Sequence, residues 1–350
     1  MSSQRSRRSP VSLPRLRIAV GFASAAVVLG TLVLVVDWTA VLSVLSRADL
    51  AVVGFASVAS LLAFVAWSES LRLLFQASGS DLSMRECLLS YGAATFVRLV
   101  VPVGQSLGPA VFVYLVGRYT DRSYSTDLAP TSIGEVTNYL LSALLAVAGG
   151  LVVFGTSAPA RQVRIVQVGL AVVLLGSLLT GGICWRYRGS VRGWILGGAA
   201  LVRATLGRLS GRARAALAPE RVDTSVGQFY QTAADLADDR LLLARAIGVA
   251  AAGWILTALP LVLAADAVGA SVSVPLGLLG FLPLPGALGG VEIALAVLLV
   301  QLSGLGLAGA TAVVLLYRVC TYWLPLLVSG GAFTALWLAG SERSGRTGEQ

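Results

Sequence analysis

Long apolar runs, separated by shorter polar stretches rich in arginine, make up most of this chain. A helix needs about 20 apolar residues to cross the hydrocarbon core of a bilayer. Runs of about this length cover residues 18–36, 50–67, 131–154, 165–185, 241–265 and 307–338. The pattern therefore predicts an all-α, multi-pass bundle of transmembrane helices in the cell membrane.

Two further apolar regions are broken in the middle by residues that interrupt a helix. The region 87–116 contains Arg98, Pro102, Gly104 and Gln105, and the region 275–302 contains the sequence LPLPGALGG at 282–290. Backbone groups freed by such breaks must find partners in protein or in a water-filled cavity, because lipid offers none. Both regions are predicted to form re-entrant helical hairpins, and a binding site is expected where they break.

The distribution of arginine predicts the orientation of the chain. Basic connections are typically cytoplasmic, so we place residues 1–17, 68–86, 118–122 and 186–240 in the cytoplasm. Counting passes from a cytoplasmic N-terminus, the first broken region enters from the cytoplasmic face and the second from the opposite face. This arrangement is typical of inverted-topology repeats with a site near the midplane.

The predicted organisation is a single transmembrane domain with two tails. Residues 1–17 form a disordered basic tail, residues 18–339 the transmembrane domain, and residues 340–350 a second cytoplasmic tail. Within the long loop 186–240, apolar residues at near-helical spacing predict an interfacial amphipathic segment, followed by a polar linker.

Composition excludes several classes of enzyme. Hydrophobic residues make up 56% of the chain and charged residues 12%; the sequence has no histidine, and every basic residue is arginine. Ser-His-Asp triads, HExxH zinc sites, Schiff-base lysines and Walker lysines are therefore excluded. The three cysteines are scattered and are interpreted as small buried hydrophobes. We expect a protein that is not an enzyme and has no cofactor or metal.

The net charge of +9 does not indicate nucleic acid, because the arginines lie next to apolar spans, where they set topology and contact anionic lipid.

Polar side chains at membrane depth are costly, roughly 2.5 to 3.5 kcal/mol for a central arginine or aspartate, and are commonly functional. Arg98 precedes a helix break, where freed amides and a helix N-terminus favour an anion such as phosphate. The alternative is that Arg98 extends to the interface. Glu135 and Asn138 share a helix face; they either line a pathway or only hydrogen-bond a neighbouring broken helix.

The second broken region supplies another pair of charges. Glu292 follows Gly289 and Gly290 and is predicted in the first turn of a helix, where the dipole favours a carboxylate. Arg318, flanked by Tyr317 and Tyr322, is its predicted partner. The pair is either a structural salt bridge or a gating and headgroup-binding element, and one pair can serve both roles.

These motifs resemble those of a known family. Pro285-Gly286, Gly289-Gly290 and Glu292, followed by Leu316-Tyr317-Arg318 and Tyr322-Trp323-Leu324-Pro325, resemble the C-terminal signature of the lysylphosphatidylglycerol synthase transmembrane region. The stretch from Arg98 to Gln105 resembles its first characteristic segment. The resemblance covers about residues 18–338 and implies a flippase-like domain that moves lipid between leaflets. No synthase domain is expected, since the chain ends just after its last span.

The leading hypothesis is a protein that translocates or binds an anionic lipid, either a phospholipid or a polyprenyl-phosphate carrier. Arg98 and Arg318 would hold the phosphate, while Glu292 would compete for Arg318. Without an ATP-binding motif, movement would be downhill or ion-coupled. The alternative is a membrane scaffold for a separate glycosyltransferase or lipid-modifying enzyme, with the loop 186–240 as the docking surface.

Overall fold

The computed structural model describes residues 37–101, 104–120, 122–155, 161–206, 218–279 and 290–346. Within these ranges the chain is almost entirely helical and contains no β-strand. The predicted all-α fold is confirmed. The predicted first span, residues 18–36, lies outside the described residues.

Thirteen helices follow one another along the described part of the chain. Their bounds are α1 Trp38–Leu45, α2 Leu50–Ala77, α3 Met84–Val100, α4 Gly104–Thr120, α5 Tyr124–Gly155, α6 Arg161–Arg186, α7 Arg188–Leu206, α8 Pro219–Asp238, α9 Arg240–Ala267, α10 Val274–Leu279, α11 Gly290–Ser303, α12 Leu307–Arg318 and α13 Leu324–Arg346. A π-helical turn, Val319–Trp323, joins α12 to α13. This turn lies directly before Pro325, where a kink was predicted; proline has no N–H to continue the helical ladder.

Four helical segments in the described part of the chain are long and apolar enough to cross a membrane. They are Leu50–Ala77, Tyr124–Val153, Arg240–Ala267 and Leu307–Ala339. The chain is an integral membrane protein. Helix α6 occupies the position of another predicted span, and its exposed leucines and valines face outward, as expected of a lipid-facing helix.

An antiparallel pair, α2 and α9, forms the centre of the bundle. The Asp49 amide donates to the Ala267 carbonyl at 2.8 Å, and Ser70 Oγ donates to the Ala246 carbonyl at 2.8 Å. The start of α2 therefore lies beside the end of α9. We call this side of the bundle, marked by Asp49 and Ala267, the Ala267 end, and the opposite side, marked by Ala77 and Arg240, the Arg240 end.

Helices α3 and α4 form the first predicted hairpin. Helix α3 begins at the Arg240 end with a capping box formed by Ser83 and Glu86. The chain returns there after α4, where Arg122 donates to the Ser78 carbonyl at 2.8 Å. At the tip, the Tyr322 hydroxyl donates to the Leu99 carbonyl at 3.3 Å. Tyr322 lies roughly half-way along the span Leu307–Ala339, so the tip reaches the middle of the bundle, as a re-entrant hairpin should.

The close turn of this hairpin depends on Gly104. A Cβ at this position would lie 2.4 Å from the Val97 carbonyl oxygen and 2.6 Å from that of Arg98. Both are backbone atoms that cannot move aside independently. We therefore predict that Gly104→Ala lowers the free energy of unfolding by about 1–3 kcal/mol or more, measured by thermal unfolding in detergent. Gly117→Ala on the same helix is the matched control, since its Cβ would meet only Asp127 Oδ2 at 4.0 Å. Equal stability of the two variants would contradict this account of the turn.

The second broken region begins at the opposite side of the bundle. Helix α10 follows Ala267 after a short turn, and its Pro275 carbonyl packs against Gly149 late in α5. Helix α11 leads back to the start of α12, which packs beside α1 at the Ala267 end. The two broken elements therefore extend from opposite ends of the bundle, as predicted. Residues 280–289 lie outside the described part of the chain, and the internal repeat remains a prediction.

Two polar stretches differ from their predicted structure. The stretch 68–77, predicted as part of a cytoplasmic loop, continues helix α2, because Leu71, Leu74 and Phe75 are buried in the core. The stretch 219–238, predicted as a polar linker, is the helix α8, which buries Val226 and Leu236. In both cases apolar residues at helical spacing outweigh the polar composition. The last helix also continues past Ala339 to Arg346, into the predicted tail.

The predicted amphipathic segment forms helix α7, which packs against α8, and its position at the membrane interface stays a prediction. Arg192 on α7 and Asp223 on α8 form a bidentate ion pair at 2.5 Å. The hydrogen bonds from Arg192 lower the pKa of the Asp223 carboxyl. Two cysteines, Cys87 and Cys320, are buried as predicted, whereas Cys184 on α6 is exposed.

Candidate functional site

The tip of the first hairpin places Arg98 beside a carboxylate of α5. Arg98 Nη2 donates to Glu135 Oε1 at 2.5 Å, and the two side chains are 24% and 20% exposed. Gly108 on α4 leaves room for the guanidinium, since a Cβ there would lie 2.8 Å from Arg98 Nε. Arg98 therefore does not extend to the membrane interface, and its charge is balanced within the bundle.

A cavity of about 180 Å³ lies beside Arg98, between α2, α3, α9 and the π-helical turn. Its lining residues are Ser60, Phe64, Trp67, Tyr91, Thr95, Arg98, Leu99, Thr257, Thr321 and Pro325. Three polar atoms of these residues are buried and have no hydrogen-bond partner among the described residues: Ser60 Oγ, Trp67 Nε1 and Arg98 Nε.

All three atoms can donate a hydrogen bond. The indole and guanidinium nitrogens can only donate, and the serine hydroxyl can donate as well. A buried polar group without a partner costs about 1–3 kcal/mol. A ligand that only accepts hydrogen bonds, such as a phosphate, suits buried donors of this kind and would also be attracted by the arginine.

The second charged pair lies where α11 begins. Arg318 Nε and Nη2 both approach Glu292 Oε1 at 2.7 Å, and the side chains are 16% and 15% exposed. Glu292 occupies the first turn of α11, as predicted, where the positive end of the helix dipole favours its charge. The predicted partnership of Glu292 and Arg318 is confirmed.

Tyr322 connects the two arginine sites. Its hydroxyl donates to the Leu99 carbonyl, next to Arg98, and its ring lies 5.7 Å from the guanidinium carbon of Arg318. A cation over an aromatic face at this distance is favourable by about 0.5–2 kcal/mol. The first hairpin therefore contacts Tyr322 directly at Leu99, whereas Glu292 of the second broken region is connected to Tyr322 only through Arg318.

The structure does not bring every predicted site residue to this place. Asn138 Oδ1 accepts from Trp254 Nε1 at 3.2 Å, so this residue fixes α9 against α5. Tyr317 packs into the apolar core with Leu295 and Leu299. Gly104 is buried at the hairpin turn, Gln105 is exposed, and Gly290 begins α11. The predicted residues Pro102, Pro285, Gly286 and Gly289 lie outside the described part of the chain.

Sequence reasoning missed Ser60 and Trp67 as cavity residues, and it missed the pairing of Arg98 with Glu135. A signal for the first was available, because Ser60 and Trp67 are two helical turns apart and share one face of α2. A signal for the second was the presence of two isolated opposite charges in neighbouring apolar regions, which need each other in a low dielectric.

The family model for the lysylphosphatidylglycerol synthase transmembrane region matches residues 18–329 of the chain. The chain belongs to this family. The match includes both hairpin regions and both arginine–glutamate pairs, and it confirms the resemblance drawn from the motifs. No functionally curated protein matches the chain, so the ligand of this family member has to be argued from the site itself.

Proposed function

We propose that the protein binds an anionic lipid and moves it between the leaflets of the membrane, with the lipid phosphate held in the cavity beside Arg98. The observation that carries this proposal is the set of buried hydrogen-bond donors, Ser60 Oγ, Trp67 Nε1 and Arg98 Nε, that have no acceptor among the described residues. Either a phospholipid or a polyprenyl-phosphate carrier supplies the required phosphate.

The paired charges suit a ligand that binds and leaves. Arg98 uses Nη2 for Glu135, so a phosphate can bind at the Nε edge while Glu135 keeps the guanidinium oriented. At the second site, the phosphate exchanges with Glu292 for Arg318. In both steps the phosphate is paired with an arginine, so its own charge is not left uncompensated at membrane depth, where that would cost several kcal/mol.

The two broken elements, which extend from opposite ends of the bundle, support alternating exposure of the site to the two leaflets. The basic connections near the Arg240 end favour a cytoplasmic location for that end and for the N-terminus. In this proposal the protein is not an enzyme and uses no cofactor. Lipid moves down its gradient or is coupled to an ion.

The proposal is tested by leaflet accessibility in liposomes. The purified protein is reconstituted with fluorescent phosphatidylglycerol or with a polyprenyl phosphate, and a membrane-impermeant quencher reports how much label reaches the outer leaflet. Protein-dependent movement of one of these lipids, above that of protein-free liposomes, is expected. The absence of movement for both lipids would overturn the proposal and favour the scaffold hypothesis, in which a partner enzyme docks on residues 186–240.

Trp67→Phe is expected to weaken anionic-lipid binding by roughly tenfold or more, because a hydrogen bond to a charged group contributes about 1.5–3 kcal/mol. No hydrogen bond within the described residues is lost, since Trp67 Nε1 has no acceptor there, so the loss of stability should be limited to the packing of the ring against Trp254. Binding is measured by native mass spectrometry and stability by thermal unfolding. The matched control is Trp254→Phe, which removes the hydrogen bond to Asn138 and should reduce stability more than binding. The reverse pattern would contradict the assignment of Trp67 to the site.

A further inference from the structure

A second and larger cavity lies at the Arg240 end, away from the arginine–glutamate pairs. It has a volume of about 570 Å³, which is within the range of small-molecule sites, about 300–1,000 Å³. It is an open cleft formed by the start of α5, Ile195 of α7 and residues 222–230 of α8. The lining residues are Ser123, Tyr124, Ser125, Leu128, Ile195, Val222, Ser225, Val226, Gln228, Phe229 and Tyr230.

This cavity combines an apolar wall with one polar cluster. Leu128, Ile195, Val226 and Phe229 supply most of the apolar wall. The hydroxyls of Ser123 and Ser125 both donate to Gln228 Oε1, at 2.9 and 2.6 Å, so these three residues lie together. The apolar wall matches a hydrocarbon chain, while the two serine hydroxyls already have an acceptor in Gln228.

Helix α7, which closes one side of the cavity, has the properties of a helix that lies on a membrane surface. Only Tyr187 separates it from α6. Trp194 and Leu201 are 83% and 69% exposed, and α7 contains Arg188, Arg192 and Arg203 but no acidic residue. Exposed aromatic and leucine side chains together with arginines are typical of helices that bind anionic lipid at the headgroup level.

Two arginines of α7 lie on the same side of the helix as the residue that lines the cavity. Arg188, Arg192 and Ile195 are four and three residues apart, so they share a helix face, and Ile195 lines the cavity. Arg192 is held beside the cavity by its ion pair with Asp223, which lies next to the lining residue Val222. An anionic headgroup bound near these arginines would therefore have its hydrocarbon chain beside the cavity.

We propose that this cavity binds an acyl chain of an anionic phospholipid from the adjoining leaflet, with the headgroup at Arg188 and Arg192. The bound lipid holds helices α7 and α8 against the start of α5. This second lipid site does not depend on the proposed transport function. Charge complementarity selects a lipid over a protein partner: in the described part of the chain α7 combines Arg188, and Nη1 of Arg192 beyond its ion pair with Asp223, with the exposed side chains of Trp194 and Leu201.

The test uses phosphatidylglycerol with a photoreactive diazirine near the end of one acyl chain, incorporated into liposomes with the full-length protein. After irradiation, labelled peptides are located by mass spectrometry. We expect label on α8, within residues 222–230, and at the start of α5. Unlabelled phosphatidylglycerol should compete, and phosphatidylcholine should not. Ser225 is exposed and lines the cavity, so Ser225→Trp fills it with little effect on the core and should abolish the labelling of α8.

Thr224→Trp is the matched control, because Thr224 is an exposed neighbour on α8 that does not line the cavity. Its labelling should equal that of the wild type. Three results would each overturn the proposal. They are labelling of α8 that persists in Ser225→Trp, label confined to the outward faces of α2 and α6, and equal competition by phosphatidylcholine. If Ser225→Trp loses this labelling but still transports lipid, the acyl-chain site is independent of the cavity beside Arg98.

Discussion

Arg98→Met is expected to abolish transbilayer movement of the anionic lipid. The substitution removes the charge and a buried donor, which together correspond to about 3 kcal/mol of phosphate binding, or roughly a hundredfold in affinity. It also leaves Glu135 without the guanidinium that neutralises it. An unpaired carboxylate at this depth lowers the free energy of unfolding by about 3–5 kcal/mol. The liposome assay measures the first effect and thermal unfolding the second.

A double variant separates these two effects. In Arg98→Met with Glu135→Leu, both charges are replaced by apolar groups of similar size, a change that is often neutral or stabilising for a buried ion pair. We expect stability to return towards that of the wild type, while transport remains absent because no arginine holds the phosphate. Recovery of transport in the stable double variant would show that Arg98 is only a structural partner of Glu135, and it would contradict the proposed site.

The sequence was sufficient to predict the arrangement of the two broken elements. Arginine in short connections is costly to translocate and therefore determines topology, and proline and glycine inside apolar runs indicate where helices must break. Together these rules placed the two regions on opposite sides of the membrane. In the structure the described arms extend from opposite ends of the bundle, the first from the end where Arg122 donates to the Ser78 carbonyl and the second from the end where Pro275 packs against Gly149.

Other elements could not be predicted from composition alone. The stretch 68–77 is polar in sequence, yet its leucines and Phe75 face the core while Ser70 bonds to the Ala246 carbonyl. A small hydroxyl that bonds to backbone costs little inside a helical bundle, so polarity by itself did not indicate a loop. The same applies to α8, where only the helical spacing of the buried residues indicates the docked face.

The partner of a charged residue in the bundle depends on how the helices pack. Arg318 and Glu292 could be paired from sequence because each lies next to a helix break in the same region. Arg98 on α3 and Glu135 on α5 are 37 residues apart in the chain, and only tertiary packing brings them to 2.5 Å. The cavity donors Ser60 and Trp67 are on a third helix. A site assembled from several helices at one depth requires the fold before its members can be recognised.

Glu292→Gln and Arg318→Gln are expected to change lipid binding in opposite directions. If Glu292 competes with the phosphate for Arg318, the amide removes the competitor and also removes negative charge from the first turn of α11. Both changes make the site more positive, so the affinity for phosphatidylglycerol should rise, on the order of tenfold. Arg318→Gln should lower it by a similar factor. Native mass spectrometry of lipid-bound protein measures both affinities.

A structural salt bridge makes a different prediction for the same pair of variants. Each single substitution would then weaken the contact between α11 and the end of α12, so both variants would lose stability and both would bind lipid less well. Competition instead requires tighter binding in Glu292→Gln even though that variant also loses stability, and slower transport because the phosphate is released less easily. Weaker binding in both variants would therefore remove Glu292 from the mechanism and leave it as a structural partner of Arg318.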